Sequence, residues 1–113
     1  MNNTPHLHSD QPVTLSHRDR DFLRHLKFRE AVHVQKHPCW LYAKTRGRWQ
    51  LVVLTLMDTY EKHDRFVKND STIQRLMADR LIEISSETML PKPYRNQHGV
   101  TVKLTDRGRF ACR

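Results

Sequence analysis

His33, His37 and Cys39 come closest to a metal-ligand set, because imidazole and thiolate both bind zinc. A tetrahedral site needs a fourth ligand, and Cys112 is the other cysteine in the chain. Val32 and Val34 read as the inward residues of a strand, which turns His33 towards solvent, so no metal site is expected. His6 and His8 fall in a polar stretch and are read as inert. No cofactor is expected either. The chain has no Gly-rich phosphate loop, no Ser or Cys with an identifiable base, and no spaced carboxylate pair in an apolar setting. Asp19 and Asp21 read as helix-start charges. Enzyme chemistry is not expected.

Charge is the stronger signal. Lys and Arg number 20 against 12 Asp and Glu, a formal net charge of +8 over 113 residues. A positive field of that size attracts polyanions, of which nucleic acid is the commonest large one, and an acidic protein is the other candidate partner. The longest apolar stretch, Leu51 to Leu54, is far too short to span a bilayer, so no membrane role is expected. No basic-then-apolar leader is read at the N-terminus, and the two cysteines are expected as free thiols in a reducing cytoplasm.

The elements that must position these charges follow from periodicity. Residues 1–13 are polar, contain Pro5 and Pro12, and read as a flexible arm before a single domain over 14–113. Ser16 is placed to cap a helix running to Phe28, with Phe22, Leu23 and Leu26 as its apolar stripe and Arg18, Arg20, Arg24 and Lys27 towards solvent. Residues 40–44 and 49–53 flank the short polar link Thr45-Arg46-Gly47-Arg48 and read as a hairpin. Trp49, Val52, Val53, Leu56, Met57 and Tyr60 also satisfy a helical period. The expectation is a strand that gives way to a helical turn near Thr55, followed by a charged surface segment from Asp58 to Lys68.

Asn69, Asp70 and Ser71 suit a helix start, and Ser71 to Gln74 fits a capping box. Ile73, Leu76, Met77 and Leu81 then share one face. Leu81 to Ile84 turns to strand character, and Val100, Val102 and Leu104 alternate with Thr101, Lys103 and Thr105 as a half-buried strand. The intervening loop, Thr88 to His98, holds Pro91, Lys92, Pro93 and Arg95 and no acid.

A short helix, a strand, a basic loop and a returning strand resemble the second half of the winged helix-turn-helix regulators of bacteria, phages and plasmids. The likeness is to the MarR and PadR type and is at the level of the fold. It is carried by Ser71, Thr72, Leu76 and Arg80-Leu81-Ile82-Glu83. Val102-Lys103-Leu104-Thr105-Asp106-Arg107-Gly108-Arg109 follows, containing a Leu-Thr-x-x-Gly-Arg wing-strand ending. The resemblance implies an α+β winged helix-turn-helix with an extra central β-hairpin, the hairpin standing where a separate helix before the recognition helix is not read. It implies a small DNA-binding transcriptional regulator. If Ile73, Leu76 and Met77 face the core, the helix presents Thr72, Gln74, Arg75, Ala78 and Asp79, with Gln74 and Arg75 suited to base edges. Taken alone, Arg75 and Asp79 read as an ordinary i, i+4 ion pair. Lys92, Arg95, His98 and Lys103 are the expected wing contacts, against phosphate or the minor groove. Double-stranded DNA is the expected partner. A protein-interaction module acting on a nucleic-acid enzyme, or an RNA-binding protein, stays open, as does a homodimer.

Overall fold

The computed structural model describes residues 14–33 and 38–113. The expectations for residues 1–13, Val34 and His37, and for the side chain of His33, lie outside them. Ser16 Oγ accepts from the Asp19 N–H at 3.1 Å and starts helix α1, His17–His33. This helix is longer than expected and takes in Val32. Its second half lacks an apolar stripe and is held by polar ties: Arg29 Nη1 donates to Leu54 O at 3.0 Å, and Arg109 donates to Glu30 at 2.8 Å.

The expected hairpin forms, as β1 (Cys39–Thr45) and β2 (Arg48–Leu54). Gly47 takes φ +78° in its turn, a conformation that glycine adopts without steric cost. The helical turn near Thr55 does not form. Instead Thr55 accepts from Asp58 N at 3.1 Å, donates its N–H to Thr59 O at 2.8 Å, and closes a turn in which Leu56 and Met57 are 80% and 85% exposed. Strand pairing on both sides of β2 overrides the helical period there. The segment read as charged surface is a third strand, β3 (Tyr60–Asn69), in which Phe66 and Lys68 are buried. A register irregularity opposite Gln50 to Val52 interrupts its alternation.

β3 leads directly into helix α2 (Asp70–Ala78), with Asn69 as N-cap residue and no side-chain capping bond. The capping box is therefore not used; Asp70 Oδ1 instead accepts from Trp49 Nε1 at 3.1 Å. Ile73 and Leu76 are buried, whereas Met77, expected in the core, is 36% exposed. The chain continues through β4 (Ile82–Ile84), β5 (Thr88–Met89), β6 (His98–Leu104) and helix α3 (Asp106–Ala111).

The fold class is α+β. All pairings are antiparallel, in the order β3-β2-β1-β6-β4, with β5 on the same edge of β6 as β4. One sheet face meets the helices. Phe22, Leu23 and Leu26 of α1 and Ile73 and Leu76 of α2 share a core with Leu41, Leu51, Val53, Phe66, Val100, Val102 and Leu104. Gly108, the glycine of the Leu-Thr-x-x-Gly-Arg run, lets α3 press against the Leu81 backbone. A Cβ there would lie 2.1 Å from Leu81 O. Thr105 caps α3 by accepting from Gly108 N at 2.9 Å.

Candidate nucleic-acid interface

Register decides which cations meet. β6 runs antiparallel to β1 with Tyr42 opposite Gly99 and Cys39 opposite Val102. Residues 43–48 and 90–98 therefore project from the same end of the sheet. Lys44, Arg46 and Arg48 lie in or beside the first turn, and Lys92 and Arg95 in the second loop; all five are exposed. None makes an ion pair among the described residues. From Cys39 to Met57, and again from Thr88 to Thr105, the chain contains no acid. Two acid-free hairpins side by side concentrate the positive field at their shared end.

The start of α2 is fastened to that end, because Asp70 N donates to Gly47 O at 2.8 Å. An open hollow of about 520 Å³ lies there, bordered by Arg46, Arg48, Trp49 and Asp70. The second loop is internally braced: Leu90 N donates to Gln97 O at 2.8 Å, Tyr94 N to Pro91 O at 2.9 Å and Gln97 N to Tyr94 O at 2.9 Å. Leu90 is buried beneath it. Lys92 and Arg95 thus stand on a folded support.

The other expected contacts are distributed unevenly. His98 is exposed at the base of the basic loop, opposite Met89. Gln74 is exposed on α2, whereas Thr72 is half-buried. Arg75 does not pair with Asp79. Its guanidinium donates to Asp19 Oδ2, and Lys68 Nζ takes Asp19 Oδ1 at 3.2 Å. Burial of Asp19 explains the preference, since a carboxylate withdrawn from water needs its cations more than exposed Asp79 does. Asp19 is thus a junction of α1, β3 and α2 as well as a first-turn charge. Lys103 is exposed at the far end of β6, opposite Glu83, and does not join the basic end.

Lys44, Arg46 and Arg48 were not singled out by the sequence reading. The signal available for them was the acid-free run from Cys39 to Met57, which continues well beyond the turn.

Cys39 and Cys112 are both buried free thiols. Burial pushes the Cys39 thiol up to about 12, which suppresses the thiolate that a metal or electrophile would need. Among the described residues no cluster of three or more His, Cys, Asp or Glu is placed to hold a metal ion. No described helix is long and apolar enough to cross a membrane. Compared with protein-family models, curated proteins and solved structures, the chain has no match.

Proposed function

We propose that the protein binds nucleic acid through the basic end of its sheet, and that it acts on duplex DNA as a small transcriptional regulator on a winged-helix plan. The observation that carries this reading is the convergence of Lys44, Arg46, Arg48, Lys92 and Arg95 beside the start of α2. In this plan α2 enters the major groove with Gln74 outward, and the loop from residues 90 to 97 is the wing. β3 occupies the place of the preceding helix of a helix-turn-helix pair, and α1 steadies α2 through Asp19.

Binding of random duplex DNA followed across salt concentration tests it. Five phosphate contacts give a slope of log K against log salt of about −4.5. Selection of preferred duplexes then tests for a regulator. No duplex binding at low salt overturns the reading. The capture of Arg75 by Asp19 favours a second one, because it leaves α2 with Gln74 as its unencumbered base-reading side chain. In that reading the same cations dock an acidic protein surface.

A further inference from the structure

The sheet face turned away from the helices is not an ordinary solvated surface. Trp40 and Tyr42 of β1 point to it, in register with Val52 and Gln50 of β2. Lys62 of β3 lies opposite Val52 on the same face, and Tyr60 opposite Leu54. Tyr94 reaches over from the basic loop, so that Lys62 Nζ sits 3.8 Å from the Tyr42 ring centroid and 4.9 Å from that of Tyr94. Trp40 and the Tyr60 hydroxyl are also neighbours. Four aromatic side chains, each half-buried, therefore extend from the basic end across the face around one lysine.

We propose that this face is a stacking platform for unpaired bases of a single-stranded nucleic acid, whose phosphates follow the cations of the basic end. The proposal rests on the nucleic-acid reading for the charge of the ligand and adds a second, single-stranded ligand beside the duplex. Two properties of the face select this occupant. Its aromatic rings are partly open, and every base has a π-face that stacks on such rings without regard to sequence. Its surroundings are cationic where a phosphodiester chain would leave it, at Lys44, Arg46, Lys92 and Arg95. Of the nearby acids, Glu83 stands opposite Lys103 in β6, Asp64 receives a hydrogen bond from Gln50 Nε2 at 3.4 Å, and Asp70, at the basic end, accepts from Trp49 Nε1 at 3.1 Å. None of the three belongs to the two acid-free hairpins. A duplex keeps its base faces stacked inside and gains nothing from tyrosine; a single strand does.

Lys62 supplies the exchange. Its ammonium occupies the faces of Tyr42 and Tyr94, where a cation is held by the ring quadrupole. A base that takes that position frees the ammonium, on its flexible four-carbon stem, to meet a neighbouring phosphate.

The test uses the full chain with fluorescein-labelled dT12, rU12 and a blunt 12-base-pair duplex, read by anisotropy at one salt concentration. Wild type is expected to bind at least one of the single strands, and the two oligomers show whether a deoxyribose or a ribose chain is preferred. Tyr42→Leu and Tyr94→Leu are each expected to weaken that binding about tenfold, with less than a twofold change on the duplex. Tyr42→Phe and Tyr94→Phe retain the ring and are expected to stay within twofold of wild type. In a Trp49→Phe background Trp40 is the single indole, and its emission is expected to be quenched by the single strand alone, a readout that needs no tyrosine variant to fold. Unchanged single-strand affinity in folded Leu variants overturns the platform and leaves the tyrosines as cover for Val52. Equal losses on strand and duplex, or unquenched Trp40, overturn it as well. A wild type that binds duplex and neither single strand overturns the platform while the nucleic-acid reading stands; a wild type that binds none of the three overturns both.

Discussion

Arg75, the one cation within α2, donates its guanidinium to Asp19 in the first turn of α1, and so fastens the two helices together. The Asp19 side chain is 7% exposed and that of Lys68, its second partner, 10%, whereas the Arg75 side chain is 56% exposed. The energetic weight of the cluster therefore lies with Asp19 and Lys68. Asp19→Ala leaves a buried ammonium without its counter-charge and should cost about 3 kcal/mol of stability. Arg75→Ala removes a half-exposed partner and should cost about 1 kcal/mol or less. Urea denaturation of the two variants checks this, and equal costs would assign the burial to the wrong cation.

Salt dependence separates the two hairpins. Changing Lys44, Arg46 and Arg48 together to Ala should make the slope of log K against log salt for duplex DNA shallower by about 2.7. Changing Lys92 and Arg95 should remove about 1.8. Lys103→Ala should leave the slope unaltered, because that side chain stands opposite Glu83 at the other end of β6. A slope that responds to Lys103 and not to the turn of β1 and β2 would move the interface to the far end.

Acid should weaken the fold through His25. Its ring lies 4.8 Å from that of His63 and 5.1 Å from that of Phe66, and Arg29 Nε donates to its Nε2 at 3.4 Å, which requires the neutral form. Desolvation by burial, then the charges of His63, Arg29 and Arg65, lower its pKa from 6.5 to about 4, against an opposing contribution from Asp21. His63 is lowered for the same leading reason. The unfolded chain thus binds more protons than the folded one, and stability is lost as pH falls from about 6.5 to about 4. With solvent screening at this half-buried site the loss should be on the order of 1–2 kcal/mol. Thermal melts across that window should show it, and His25→Gln should remove most of it. A melting temperature independent of pH in wild type would contradict the neutral assignment.

Gly108 should not tolerate a methyl group. An added Cβ would meet Leu81 O at 2.1 Å and Leu104 Cδ2 at 2.8 Å, and the first of these is backbone. Gly108→Ala should cost about 2 kcal/mol or more, despite alanine's better helix propensity. A chemical denaturation midpoint at or above that of wild type would show that α3 can lift away without penalty.

The sequence showed those parts whose apolar pattern is local. The hairpin of β1 and β2, the buried face of α2 at Ile73 and Leu76, and the alternation of Val100, Val102 and Leu104 were all readable. β3 was not, because the inward position 68 is a lysine whose neutralising partner, Asp19, is 49 residues away. Arg75 was assigned to Asp79 because spacing along a helix ranks neighbours without knowing which carboxylate is buried. The basic end was half visible: the loop around Lys92 and Arg95 was legible as acid-free. Its junction with Lys44, Arg46 and Arg48 depends on pairing Cys39–Tyr42 with residues 99–102, a register that composition does not contain.

The two margins of the sheet have a further consequence. β3, at one margin, exposes Glu61, Asp64 and Arg65 and carries the register irregularity opposite Gln50 to Val52. At the other margin β4 and β5 are three and two residues long, and between them the Ser85 hydroxyl accepts from Thr101 N at 2.8 Å. The irregularity and charges of the ten-residue β3, and the shortness of β4 and β5, each work against another chain adding as a strand. Copies brought close together are thereby hindered from zipping into cross-strand aggregates, so crowding of this chain stays reversible.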